Sequence, residues 1–184
     1  MILREDNSVH CSGSVITPSL ILTAGHCFAE NNPSNDKFPK EKLKIAYGLD
    51  DLKNLDLDFI PKTFRNIKGV RFHPKYQWPA AYSDVVLVEV DKEVTFSSTI
   101  WPVCLPDRPN SEKDHLNMDS GTIVGFGPKD DNSKTMKQLS QKIRSFAYCS
   151  RRYSPENADF KVRSLLLEEL PYGFADSLIC AQTR

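Results

Sequence analysis

Long apolar runs are absent from this sequence. No stretch approaches the roughly eighteen consecutive apolar residues that an ordinary membrane-spanning helix requires. An excess of charge is absent too, because 24 Lys and Arg residues balance 24 Asp and Glu residues. The balance argues against general attraction to nucleic acid or to anionic membranes. No Asn-x-Ser/Thr acceptor occurs, so N-glycosylation is not expected.

The composition is otherwise that of an ordinary globular chain. Its 184 residues suit one domain or two small ones, and 40% of them are hydrophobic. Twelve prolines and few long periodic apolar segments favour β structure and loops over helices.

Local patterns predict several strands. Residues 14–16 and 20–23 flank a Thr-Pro-Ser turn and therefore predict a β-hairpin. Residues 42–48 alternate between apolar and polar side chains, and residues 85–90 are almost wholly apolar, so both predict strands. A short strand within 134–143 is a further expectation. Only residues 163–170, which are rich in leucine and end before Pro171, predict a helix.

Four blocks in the sequence, taken in order, resemble one known family. The segment 20–27 ends in Thr-Ala-Gly-His-Cys, and it follows a His-Cys-Ser-Gly-Ser segment at 10–14. A His-Pro-Lys-Tyr motif at 73–76 leads to an aspartate that opens an apolar strand. Pro-Val-Cys-Leu-Pro at 102–106 and Gly-Thr-Ile-Val-Gly-Phe-Gly at 121–127 complete the set. Together they resemble the chymotrypsin/trypsin-like serine proteases.

The resemblance implies an all-β, two-barrel fold. It places the first barrel at about 1–100, a linker at 101–118 and an incomplete second barrel at 119–184. The chain lacks both the family's Ile-Val-Gly-Gly-like activation end and its Gly-Asp-Ser-Gly-Gly segment. The sequence is therefore interpreted as part of a trypsin-like protease domain, trimmed at both ends.

The resemblance also implies catalytic roles. His26 matches the family's general base, and Asp84 matches the buried carboxylate that orients that base. The nucleophilic serine has no match, since neither Ser120 nor Ser177 lies in the required segment. Loss of a triad serine lowers turnover by about a million-fold, so the chain as given is predicted to be inactive.

The five cysteines fit the same family. The resemblance pairs Cys11 with Cys27 around the histidine loop and Cys149 with Cys180 in the second barrel. It leaves Cys104 unpaired, and related proteins use a cysteine in this linker to hold a propeptide or light chain. The alternative for Cys104 is a plain buried thiol. The cysteine pattern and the family predict secretion, although the first residues show no signal peptide.

Other kinds of site are disfavoured. Two His-Cys pairs, at 10–11 and 26–27, lack the short spacing typical of zinc sites. The acidic residues Asp50, Asp51, Asp56 and Asp58 match no calcium template, so a solvated loop is the better interpretation. The basic and aromatic residues of 144–153 would suggest nucleic acid only in a chain with net positive charge. No cofactor or metal is expected.

Two functional hypotheses follow. The first is a secreted serine endopeptidase that acts on proteins or peptides, with the spare Cys104 suggesting a place in a proteolytic cascade. The second is a non-catalytic protease homologue that binds or regulates a partner. A protein that only binds has little need of both His26 and Asp84, which favours the first hypothesis.

Overall fold

The computed structural model describes residues 1–29, 42–49, 51, 64–105, 120–126, 135–154, 169–170 and 178–183. Within these residues the secondary structure is mostly β, which confirms the predicted fold class. The strands are β1 Ile2–Arg4, β2 Val9–Cys11, β3 Ser14–Val15, β4 Leu20–Thr23, β5 Leu43–Ala46, β6 Phe64–Phe72, β7 Val86–Val90, β8 Ser120–Gly125, β9 Lys137–Ile143 and β10 Ala181–Thr183. A 3-10 turn spans Gly25–Phe28, and helix α1 spans Phe146–Arg152.

The chain divides into two compact units. The first contains Met1–Pro74, Val85–Leu105 and Gly125–Lys137. The second contains Lys75–Asp84, Pro106–Val124 and Gln138–Arg184. His26 therefore belongs to the first unit and Asp84 to the second.

The first unit is built on a seven-stranded sheet in the order β2-β1-β5-β6-β7-β4-β3. Every pairing in it is antiparallel. One face of the sheet packs into the core. In β7, for example, Val86, Val88 and Val90 are buried while the residues between them are partly exposed. The buried cluster contains Ile2, Ile21, Cys27, Phe28, Leu43, Ile45, Tyr47, Ile67, Val86, Val88, Val90 and Val94.

The predicted hairpin forms from β3 and β4, with Ser14 opposite Leu22. Gly13, just before β3, lies against β4. A Cβ atom at this position would lie 2.8 Å from Ile21 Cγ2 and 3.0 Å from the Leu22 carbonyl oxygen. Only glycine allows this close approach, so Gly13 is needed for the packing of this segment against β4.

The longest strand, β6, was not predicted. Its pairing with β7 shifts register between Ile67 and Gly69. An extra residue at a bulge interrupts the alternation of side chains, so no period of two runs through Phe64–Phe72. Alternating hydrophobicity therefore does not predict this strand.

A three-stranded sheet has the order β10-β9-β8, and β9 pairs with β10 through Ile143 opposite Ala181. Helix α1 follows β9 and is capped by Ser145, whose side chain accepts a hydrogen bond from the Tyr148 backbone N–H. The expectation that residues 163–170 alone are helical was therefore wrong. That predicted helix lies almost wholly outside the described residues.

In the part of the chain that the structure describes, no helix is long and apolar enough to cross a membrane.

Candidate functional site

The pairing of β4 with β7 fixes the position of the histidine segment. The two strands are antiparallel, with Thr23 at the end of β4 opposite Val86 at the start of β7. The Thr23 hydroxyl also donates a hydrogen bond to the Ser12 carbonyl oxygen at 2.7 Å. His26 lies three residues beyond Thr23, and Asp84 lies two residues before Val86. Each candidate residue is therefore only a few positions along the chain from one member of the Thr23–Val86 pair.

The 3-10 turn Gly25–Phe28 presents His26 to solvent. Ala24 before it is extended, and the Ala29 N–H donates to the His26 carbonyl oxygen at 3.4 Å. The two following side chains are anchored in the core, Cys27 at 4% exposure and Phe28 at 2%. His26 itself is exposed. The turn thus holds its backbone through buried neighbours and leaves the imidazole accessible.

A disulfide bond joins Cys11 of β2 to Cys27 of the turn, with their Cα atoms 6.3 Å apart. A ring nitrogen of His26 lies within 4.8 Å of both sulfur atoms. Imidazole and two thiolates are zinc donors, but these sulfurs are bonded to each other and are not thiolates. The cluster is therefore a cross-linked histidine loop.

His10 makes a contact to the same loop that was not predicted from sequence. Its Nε2 lies 2.7 Å from the Cys27 carbonyl oxygen. A carbonyl oxygen only accepts, so Nε2 carries the proton and donates. His10 Nδ1 is buried without a hydrogen-bond partner among the described atoms. The contact spans 17 residues of sequence, and no local pattern signals it.

Asp84 is partly buried and follows a residue with an unusual backbone. Ser83 has φ 52°, in the left-handed region that non-glycine residues rarely adopt. Such a conformation costs about 1 kcal/mol or more and persists only where surrounding structure imposes it. The backbone entering Asp84 is thus held in a defined and unfavourable geometry.

The charge of Asp84 affects the pKa of Tyr76, the last residue of the His-Pro-Lys-Tyr motif. It is 7% exposed. Burial raises the pKa of Tyr76 to about 12, and the negative charge of Asp84 adds to the effect. Tyr76 and Asp84 are therefore electrostatically coupled within the second unit.

This coupling predicts a pH effect. The folded-state pKa of Tyr76 lies above its ordinary value of 10.0. The protonated phenol therefore contributes its full stabilisation of the fold at pH values below that ordinary pKa. The contribution is lost as the pH rises through about 12. In a phenolate absorbance titration, Tyr76→Phe should remove one late ionisation step and leave that of Tyr47, whose pKa burial also raises. Asp84→Asn should move the Tyr76 step to lower pH. An unchanged titration in Asp84→Asn would contradict the coupling.

The three remaining cysteines form one further disulfide and one free thiol. Cys149 in α1 is bonded to Cys180 just before β10, with their Cα atoms 6.0 Å apart. Cys104 is a free and exposed thiol, which argues against the alternative of a buried one. Its neighbours Val103 and Leu105 are about half exposed. The segment is tied to the first unit through the Val103 N–H, which donates to the Val15 carbonyl oxygen at 2.8 Å.

The Cys11–Cys27 bond should contribute strongly to stability. It closes a loop with a sequence separation of 16 residues, and a loop of this size corresponds to about 3 kcal/mol of unfolding free energy. We expect Cys11→Ala/Cys27→Ala to lose about that amount in urea unfolding without reductant. Cys104→Ala is the matched control and should change the free energy by less than about 0.5 kcal/mol. Equal losses in the two variants would contradict the assignment.

The structure describes only some of the other sequence candidates. Ser120 is an exposed residue at the start of β8. Ser177 lies outside the described residues, as do Asp50, Asp56 and Asp58. Asp51 forms an isolated antiparallel bridge with Thr135.

Comparison with known proteins identifies the family. The trypsin family model matches residues 1–183. Vitamin K-dependent protein C from Oryctolagus cuniculus is 29% identical over 173 residues, which cover 92% of this chain and 34% of that protein. The proclotting enzyme of Tachypleus tridentatus is 27% identical over 152 residues, covering 81% of this chain and 40% of that protein. The chain thus spans well under half the length of either relative. With a family match over almost its whole length, it belongs to the trypsin family of serine proteases.

Proposed function

We propose that this chain is part of a serine endopeptidase in which His26 is the general base and Asp84 orients it. The observation that carries the proposal is the pairing of Thr23 with Val86. It sets the end of β4, which leads into His26, opposite the start of β7, which follows Asp84. A Ser-His-Asp mechanism needs the histidine and the carboxylate to converge at one point.

The environment of His26 suits a general base. Its imidazole is exposed, while the backbone on its C-terminal side is fixed by buried side chains and by the Cys11–Cys27 bond. Proton transfer needs a group that is accessible and fixed in orientation. In the proposed mechanism His26 takes the proton from a serine hydroxyl as the hydroxyl attacks the scissile carbonyl, and then returns it to the leaving amine. Asp84 accepts the hydrogen bond from His26 Nδ1 and stabilises the imidazolium.

The nucleophilic serine is proposed to come from a segment outside these 184 residues, so that this polypeptide alone does not turn over substrate. The sequence contains no Gly-Asp-Ser-Gly-Gly segment. We assign the first barrel to about 1–100, the linker to 101–118 and part of the second barrel to 119–184.

Substrates of the trypsin family are proteins, and this chain is proposed to act on protein or peptide substrates in the same way. Exposed Cys104, on a segment with exposed Val103 and Leu105, is suited to a disulfide with an upstream propeptide or light chain. The two intramolecular disulfides favour an oxidising compartment. We therefore propose secretion and, because Cys104 is available for such a disulfide, a role in a proteolytic cascade.

A second candidate is a non-catalytic homologue that binds or regulates a partner. No Gly-Asp-Ser-Gly-Gly segment within these 184 residues stands against it. The retained pair of His26 and Asp84 favours the endopeptidase.

The coding sequence beyond Arg184 separates the two candidates. The endopeptidase predicts an in-frame Gly-Asp-Ser-Gly-Gly segment in the messenger RNA. A stop codon before any such segment would leave the binding homologue as the function.

A further inference from the structure

A basic cleft lies on the second unit. Its lining residues are distant in sequence from His26 and Asp84, the residues assigned to catalysis. Its volume is about 560 Å³, and the described residues that line it are Ser145, Ala147, Tyr148, Arg151 and Arg152. Binding pockets for small groups commonly have volumes of about 300–1,000 Å³. Two of these lining residues are cationic and none is acidic.

Helix geometry explains how these side chains meet. Tyr148 lies three residues after Ser145 and three and four residues before Arg151 and Arg152. Residues at these spacings are neighbours on a helix surface. The helix macrodipole by itself favours cations in a last turn. The spacing adds that both arginines lie beside the aromatic ring of Tyr148.

The wall of the cleft is fixed by several contacts. Tyr148 Oη and Arg144 Nε both donate to Gln182 Oε1, at 3.1 and 3.0 Å. The Arg144 guanidinium also stacks over the Tyr148 ring, 5.2 Å from its centroid. The Cys149–Cys180 disulfide ties the helix to the segment before β10, and the Arg144 N–H donates to the Cys180 carbonyl oxygen at 2.9 Å. The aromatic ring is therefore held in place before any ligand binds.

We propose that this cleft binds an acidic segment of a protein partner, whose carboxylates pair with Arg151 and Arg152 while its backbone packs on Tyr148. Guanidinium groups bind carboxylates through paired charge-assisted hydrogen bonds. Long polyanions fit less well, because they need extended basic surfaces and the chain has no net charge. The proposal does not depend on catalysis by His26.

The test is fluorescence anisotropy of a labelled hexaglutamate peptide titrated with the 184-residue protein at low salt. We expect saturable binding that weakens as salt is added. Arg151→Gln/Arg152→Gln should raise the Kd by about tenfold or more, since hydrogen bonds to charged groups are lost. Lys42→Gln/Lys92→Gln is the matched control: it removes the same charge from exposed positions of the first unit and should leave the Kd nearly unchanged.

Competing ligands complete the test. A hexaglutamine peptide should not bind, and a double-stranded DNA oligonucleotide should displace the acidic peptide weakly. Equal weakening by the two double variants would overturn the proposal, because it would indicate non-specific attraction. Tighter binding of DNA than of the peptide, or no saturable peptide binding by the wild-type protein, would overturn it as well.

Discussion

Replacing His26 by alanine should lower kcat for peptide hydrolysis by about 10⁶-fold in the protein produced with the segment that supplies its serine. Without the imidazole no group removes the proton from the serine hydroxyl or returns it to the leaving amine. The free energy of unfolding should change little, because the His26 side chain is exposed. The measurement is steady-state hydrolysis of a chromogenic peptide amide, with circular dichroism to establish that the variant is folded.

His10→Gln is the matched control for His26→Ala. A glutamine Nε2 is able to donate to the Cys27 carbonyl oxygen as His10 Nε2 does. We expect this variant to keep kcat within a few-fold of the wild-type value. His10→Phe removes the donor and should affect turnover more than His10→Gln. Turnover close to wild type in folded His26→Ala would refute the general-base role.

Replacing Asp84 by asparagine should lower kcat by about 10⁴-fold, the effect expected when a triad loses its orienting carboxylate. Asparagine has nearly the same shape, but it does not stabilise the imidazolium and permits the wrong histidine tautomer. The strained backbone at Ser83 indicates that the chain entering Asp84 is held in place. The loss should appear in kcat more than in KM, because the charge acts in the transition state.

Asp91→Asn is a control with the same chemical change. Asp91 is an exposed carboxylate that accepts hydrogen bonds from the backbone and side-chain nitrogens of Asn66, at 3.1 and 2.9 Å. It lies just after β7, at the strand's other end from Asp84. We expect kcat within a few-fold of wild type for Asp91→Asn. A similar loss in both variants would mean that Asp84 contributes only to folding.

The sequence predicted the elements with a clear apolar signal, β5 from its alternation and β4 and β7 from short apolar runs. Strands β4, β5 and β7 appear close to their expected positions because one face of each packs into the core. The bulge between Ile67 and Gly69 hid β6. Helix α1 was missed because it is only seven residues long and, of its side chains, only Cys149 is buried. The cap at Ser145 was the one available signal, and a cap without an apolar stripe does not predict a helix.

The candidate site could be predicted from the sequence only where its residues lie in linear motifs. Linear motifs predicted His26 and Asp84 as candidates, because each lies in a short segment typical of the family. The contact from His10 to the Cys27 carbonyl oxygen and the contacts that fix the wall of the basic cleft depend on residues brought together by tertiary structure. The Arg144 and Tyr148 contacts to Gln182 span 38 and 34 residues, a separation that composition and periodicity do not reveal.

Labelling with a fluorophosphonate tests the central claim most directly. An activated serine attacks the phosphorus atom and displaces fluoride, and the reaction needs the general base but no particular substrate side chain. The protein that includes its nucleophile should be labelled at one serine, and both His26→Ala and Asp84→Asn should label far more slowly while remaining folded. Absence of labelling in the folded wild-type protein, or labelling of His26→Ala at the wild-type rate, would contradict the account.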